Sequence, residues 1–154
     1  MDYQLLEKQL NELFSGESSH LANAANFAAF IFQEISDVIW AGFYYANERG
    51  ELVLGPFQGR PACTRLPKGR GVCGAAVARG ETMVVDDVDA FPDHIVCDNA
   101  ARSEIAVPLD AGKPYGVFDV DSDRLARFGA EDREGIERLV RVFIHNVAPP
   151  PWQA

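Results

Sequence analysis

The chain has 154 residues, of which 47% are hydrophobic and 24% are charged. That balance predicts one globular domain over residues 1–154 and excludes a disordered or fibrous chain. The 14 basic and 23 acidic residues give a net charge of −9, a sign that repels nucleic-acid phosphates and anionic lipid, so we expect neither partner. The first residues, MDYQLLEKQL, lack the features of a secretory signal, and we expect a cytoplasmic protein.

Two amphipathic helices are predicted at the start of the chain. The first carries Leu6, Leu10 and Leu13 at helical spacing. The second carries a longer apolar stripe at the spacing i, i+3, i+4, i+7 and i+8, formed by Ala24, Phe27, Ala28, Ile31, Phe32 and Ile35. Both stripes indicate helix surfaces that face a core.

A β-hairpin is predicted next. β-Branched and aromatic residues run from 38 to 45, a turn follows at 47–50, and a second strand begins at Leu52. Residues 55–70 are rich in glycine and proline, which predicts a loop with a short strand around Cys63.

The middle of the chain combines a short helix, three strands and a long loop. The helix is predicted at 75–78, before Gly80, and the strands at 82–85, 105–109 and 115–120. The eighteen residues from Asp86 to Ser103 are predicted as an acidic loop. A loop of that length is more often functional than idle in a compact domain.

The last element is an amphipathic helix carrying Ile136, Leu139, Val140, Phe143, Ile144 and Val147. A proline-rich tail, residues 149–154, ends it. Helices at both ends of a mostly antiparallel sheet define an α+β fold, and we expect the N- and C-terminal helices to share one face.

Cysteine is the first candidate for chemistry. Cys97 lies in the long loop beside His94, where a thiol near an imidazole is a candidate nucleophile. Cys73 lies at the start of the short helix, whose dipole stabilises a thiolate. Spacing alone does not decide between them. Because Cys63, Cys73 and Cys97 form no CxxC pair, the sequence predicts no metal site, and we expect no cofactor.

A second candidate is a group of acidic and aromatic residues on strands. Asp119 and Asp121 alternate along one strand and therefore share a face, as do Trp40 and Tyr44 on another. With Glu104 nearby, like charges are expected to raise the pKa of at least one carboxyl. The alternatives are a solvated strand face for the acids and plain core packing for the rings.

Four segments resemble one family. They are WAGFYY (40–45), GPFQGRPACTRLPKGRGVCGAAVARGETMVVDDVDAFPDHIVCD (55–98), SEIAVPL (103–109) and GVFDVDS (116–122). Together they resemble the free methionine-(R)-sulfoxide reductases, which are single-domain GAF proteins. The resemblance spans about residues 21–147 and includes all three cysteines.

The resemblance implies a role for each candidate residue. Cys97 is the implied nucleophile that attacks the sulfoxide sulfur, Cys63 the resolving thiol, and Cys73 a second thiol whose role stays open. Thioredoxin is the implied reductant and a homodimer through the helical face the implied assembly. The substrate, free methionine (R)-sulfoxide, is implied to contact Glu104, Asp119, Asp121, Trp40 and Tyr44.

Two other functions fit a protein of this kind. In a GAF sensor module that binds a small molecule without catalysis, the cysteines would be structural or would bind the ligand. In a redox-sensing interaction protein there would be no small substrate. Consumption of thiols by free methionine sulfoxide separates the enzyme from both.

Overall fold

The computed structural model describes residues 1–152, which form four α-helices and one six-stranded sheet. The helices are α1 (Tyr3–Phe14), α2 (His20–Glu34), α3 (Gly71–Arg79) and α4 (Ala130–Asn146). The strands are β1 (Trp40–Ala46), β2 (Leu52–Gly59), β3 (Arg65–Leu66), β4 (Met83–Val85), β5 (Ser103–Asp110) and β6 (Pro114–Ser122). Across the described part of the chain, no helix is long and apolar enough to cross a membrane.

The sheet has the strand order β3-β2-β1-β6-β5-β4, and every neighbouring pair is antiparallel. Helices α1, α2 and α4 pack on one face through a single apolar cluster, and α3 packs on the other. The predicted α+β class and the shared face of the terminal helices are therefore confirmed.

The face under α1, α2 and α4 holds the larger core, and its residues largely follow the predicted stripes. In α1, Leu6 and Leu10 are buried as expected, but Leu13 is 40% exposed. The prediction for Leu13 was wrong because Tyr3 and Phe14, at the two ends of the helix, complete its buried face.

Strand β2 is longer than predicted, since it continues to Gly59 where a loop was expected. The glycine that suggested a loop has a packing role. A Cβ atom added at Gly55 would lie 2.4 Å from the ring of Tyr45, so this strand position admits only glycine. The short strand near Cys63 exists but lies just after it, as β3.

The predicted long loop is interrupted by a 3₁₀ turn at Val88–Ala90. The remainder, residues 91–102, carries Cys97 and leads into β5. Of the proline-rich tail predicted at 149–154, residues 153 and 154 lie outside the described part of the chain.

Candidate active site

A pocket lies on the sheet face covered by α3. Its floor is formed by β1, β5 and β6, and its rim by residues 60–62 and the segment that carries Cys97. The strand register determines which residues form the floor, since Trp40 pairs with Asp121 and Asp121 pairs with Glu104. Residues far apart in sequence therefore lie side by side on three adjacent strands.

The three predicted acids line this pocket together. Asp119 and Asp121 share the pocket face of β6, as alternation predicted, while Val120 between them lies in the opposite core. Asp119 is 5% exposed and Glu104 is 7% exposed. Oδ1 of Asp119 is buried without a hydrogen-bond partner among the described residues, which is costly for a carboxylate and suits a donor from a ligand.

Burial gives these acids unusual proton affinities. Loss of hydration raises the pKa of Asp119 well above its ordinary value, and the charges of Asp121 and Glu104 raise it further. The pKa of Asp121 is raised by burial first, then by Glu104 and Asp98. The prediction that at least one carboxyl has a raised pKa is confirmed, and the shift favours the protonated form, which can donate a hydrogen bond.

Cys73, on α3, contacts the acids on the sheet. It is the third residue of α3, its side chain is 4% exposed, and its Sγ lies 3.7 Å from Oε1 of Glu104. Burial raises the pKa of its thiol well above the usual value, and the charges of Asp119 and Glu104 raise it further. The expectation that the helix start stabilises a thiolate here was wrong, because desolvation and two carboxylates outweigh the dipole.

A disulfide joins the two other cysteines at the rim of the pocket. Cys63 and Cys97 are separated by 34 residues in sequence, yet their Sγ atoms are bonded and their Cα atoms lie 5.4 Å apart. Cys73, buried on α3, is a free thiol that lines the same pocket. The bond joins the nucleophile and resolving thiol implied by the resemblance.

The two predicted aromatic residues stand on the pocket face of β1. The rings of Trp40 and Tyr44 stack with centroids 5.9 Å apart, and Phe57 stacks on Trp40 at 5.4 Å. Their polar atoms bind the segment that carries Cys63. The Tyr44 hydroxyl donates to the carbonyl of Cys63 at 2.8 Å, and the indole N–H of Trp40 donates to the carbonyl of Arg60 at 3.1 Å. Sequence reasoning found the rings but missed these bonds.

His94 and a rim ion pair complete the site. Nε2 of His94 lies 3.9 Å from Oε2 of Glu104, so this histidine faces a carboxylate of the pocket floor. Nε of Arg70, the N-cap residue of α3, donates to Oδ2 of Asp93 at 2.8 Å. This ion pair ties α3 to the segment that carries Cys97, and it lowers the pKa of Asp93. The sequence held no signal for it, because its partners lie 23 residues apart.

The cluster of Cys73, Glu104 and Asp119 brings three ligand atoms within 4.8 Å of one another. A thiol with two carboxylates can chemically hold a divalent cation, and buried carboxylates equally suit an ammonium group. The sequence predicted no metal because the ligands are dispersed along the chain.

The fold and the pocket together define a GAF domain with a thiol site, and the GAF domain family matches residues 21–143. Protein YtsP of Bacillus subtilis (strain 168) is 51% identical over 92% of this chain and 88% of its own length. The free methionine-R-sulfoxide reductase of Escherichia coli (strain K12) is 48% identical over 90% of this chain and 84% of its own.

A solved structure agrees with these relatives. Free methionine-R-sulfoxide reductase from Neisseria meningitidis, in complex with its substrate, is 44% identical and superposes with a TM-score of 0.89. The alignment covers 94% of this chain and 87% of that one. The chain belongs to the free methionine-R-sulfoxide reductase family.

Proposed function

We propose that this protein reduces free L-methionine (R)-sulfoxide to methionine with its own thiols. The observation that carries the proposal is the Cys63–Cys97 disulfide at the rim of a pocket floored by three acids. A reversible disulfide beside a cation-binding floor suits a substrate that has both an ammonium group and a reducible sulfur.

The chemical step begins at Cys97. Its thiolate attacks the sulfoxide sulfur, an S–S bond to the substrate forms, and the protonated sulfoxide oxygen leaves as water. Water then attacks the Cys97 sulfur, the S–S bond breaks, methionine leaves with the bonding electrons, and Cys97 becomes a sulfenic acid. A protonated carboxyl among Asp119 and Asp121 donates to the sulfoxide oxygen, because both have raised pKa values. Cys63 then attacks the sulfenic sulfur, the disulfide forms and water leaves. One sulfoxide and two thiols thus give methionine, one disulfide and water.

The residues that line the pocket also account for recognition of the substrate. The α-ammonium binds among Glu104, Asp119 and Asp121, and the unpartnered Oδ1 of Asp119 accepts one of its hydrogen bonds. The rings of Trp40 and Tyr44 receive the polarised S-methyl group. Cys73 acts as a reserve thiol, since its raised pKa makes it a poor first nucleophile.

The proposal includes two partners and a location. Thioredoxin reduces the disulfide, because thiol exchange with a dithiol restores both cysteines. A second copy of the chain packs on the helical face, where Leu5, Leu13 and Leu21 are exposed. The cycle needs a reducing compartment, which the cytoplasm provides. Turnover with and without thioredoxin, and the mass in solution by light scattering, test the two partners.

A single-turnover assay tests the reaction itself. Reduced protein is incubated with free methionine (R)-sulfoxide, and methionine formed is compared with thiols lost. We expect one methionine for each two thiols consumed. A GAF sensor or a redox-sensing interaction protein would form no methionine, and that result would overturn the proposed activity.

Variants of the cysteines assign the roles. Cys97→Ser should form no methionine in a single turnover, whereas Cys73→Ser, the matched control, should retain the chemical step. Cys63→Ser should release one methionine and leave a Cys97 sulfenic acid that a specific reagent traps. Activity retained in Cys97→Ser and lost in Cys73→Ser would move the nucleophile to α3.

A further inference from the structure

The segment that carries Cys63 is fastened to the sheet at three backbone carbonyls. Tyr44 donates to Cys63, Trp40 donates to Arg60, and the backbone N–H of Leu54 donates to Thr64 at 3.0 Å. Residues 60–64 form no regular structure of their own. Their position is therefore set by donors on β1 and β2.

The donors on β1 are themselves fixed. Trp40 and Tyr44 are each 3% exposed, and the indole is stacked between Tyr44 and Phe57. Neither side chain has room to rotate away from the carbonyl it holds. Each hydrogen bond therefore fixes the backbone near Cys63 relative to the sheet.

The segment that carries Cys97 is held differently. In the described structure, the backbone hydrogen bonds of residues 94–101 stay local, from His94 to Phe91 at 3.3 Å and from Ala101 to Asp98 at 3.2 Å. Val96, next to Cys97, is 58% exposed. Of the two segments joined by the disulfide, the one that carries Cys63 is bound to the sheet through its backbone carbonyls, whereas the one that carries Cys97 is bound to the domain through side chains, as at the Arg70–Asp93 ion pair.

We propose that Tyr44 and Trp40 are positioning residues that hold Cys63 as a fixed partner for Cys97. This inference rests on the proposed function, in which the two cysteines cycle between dithiol and disulfide. In the resolving step the Cys63 thiolate attacks the Cys97 sulfenic sulfur, the S–S bond forms, and the S–O bond breaks. Hydroxide leaves and takes a proton to give water. Anchoring Cys63 reduces the conformational entropy lost in that closure and so favours the disulfide.

The test compares two tyrosines that differ in the hydrogen bonding of their hydroxyl groups. Tyr44→Phe keeps the ring and deletes the hydroxyl that holds Cys63. Tyr115→Phe is the matched control, because the Tyr115 hydroxyl is buried without a hydrogen-bond partner among the described residues. Each protein is equilibrated with a series of reduced and oxidised glutathione buffers, and alkylation with mass spectrometry gives the fraction of Cys63–Cys97 disulfide.

We expect Tyr44→Phe to lower the equilibrium constant for disulfide formation about threefold to tenfold, the size of one hydrogen bond. Trp40→Phe should lower it in the same direction, and Tyr115→Phe should leave it unchanged. Thermal unfolding separates positioning from general damage. A positioning role destabilises the oxidised form of Tyr44→Phe more than the reduced form, whereas a merely structural role lowers both equally.

An equilibrium constant in Tyr44→Phe equal to that of the wild type would overturn the inference. Equal destabilisation of both redox forms would do the same. Failure of the proposed function looks different, because a wild-type protein that forms no methionine from the sulfoxide can still show the glutathione equilibrium. The two failures are thus distinguishable in separate assays.

Discussion

The two faces of the sheet are built from the same strands and differ in almost everything else. Under α1, α2 and α4, the rings of Phe27, Phe43, Phe118 and Phe143 pack with centroid distances between 4.7 and 5.8 Å. On the face under α3, the neighbouring strand positions carry buried acids, a free thiol and aromatic hydrogen-bond donors. One face is optimised for burial and the other for chemistry.

This difference shows where the protein's stability and activity lie. Apolar burial on the helical face stabilises the fold, while desolvated acids on the pocket face destabilise it in the absence of a cation. Functional sites commonly carry such a penalty. Substitutions at adjacent positions of one strand should therefore have opposite effects on the free energy of unfolding.

The largest effect on stability is expected for Phe118→Ala. Phe118 is fully buried and contacts Phe27 and Phe43, so truncation leaves a cavity and should lower the free energy of unfolding by about 3–5 kcal/mol. Urea denaturation measures the change, with Phe118→Leu as a control that leaves a smaller cavity. A loss below about 1 kcal/mol would show that the helical face is not the main source of stability.

The next effect concerns the substrate rather than the fold. N-acetyl methionine (R)-sulfoxide has no ammonium and leaves the acids of the pocket unpaired, so kcat/KM should fall on the order of a hundredfold relative to the free amino acid. Steady-state kinetics with both substrates, in wild type and in Glu104→Gln, measure this discrimination. Equal rates on the two substrates in the wild type would refute an ammonium site, and unchanged kinetics in the variant would remove Glu104 from it.

A smaller effect, of opposite sign to the first, is expected for Asp119→Asn. At neutral pH Asp119 must either take up a proton or carry a desolvated charge, whereas the amide does neither, so the variant should have a higher free energy of unfolding. The same variant should lose activity, since Asp119 lies in the proposed site. Denaturation and a single-turnover assay on the same sample test both changes.

The pH dependence supplies the control for Asp119→Asn. Because the pKa of Asp119 is raised in the folded state, that state binds a proton more tightly than the unfolded chain does. Stability contributed by the protonated form is therefore lost as pH rises above about 4, the value for an unfolded aspartate. The gain from Asp119→Asn should vanish below that pH and grow above it. A gain independent of pH would have another cause.

The smallest effect is expected for Leu13→Ala, within about 0.5 kcal/mol of the wild type, because surface side chains contribute little. Its matched control is Leu10→Ala in the same helix. Leu10 is fully buried, and its truncation should lower the free energy of unfolding by about 2–5 kcal/mol. Similar losses for the two variants would mean that Leu13 is covered in solution, for instance by the second copy proposed above.

Much of the fold was predictable because periodicity is a local property of the chain. Alternation alone placed Asp119 and Asp121 on one side of β6, and the apolar stripe of α2 predicted its buried face. Prediction failed where a distant residue determines the local structure. Gly55 indicated a loop, yet it lies inside β2 because the Tyr45 ring covers it.

The site was predictable in its membership but not in its geometry. The sequence by itself, through its resemblance to one family, determined which cysteines, acids and rings belong together. Only the tertiary structure decided that Tyr44 holds the backbone of Cys63 and that Cys73 is buried against Glu104. The physical reason is that hydrogen bonds and desolvation depend on distances between elements, which packing sets and which local sequence does not encode. The same packing gave Cys73 a raised pKa where its position at a helix start predicted a stabilised thiolate.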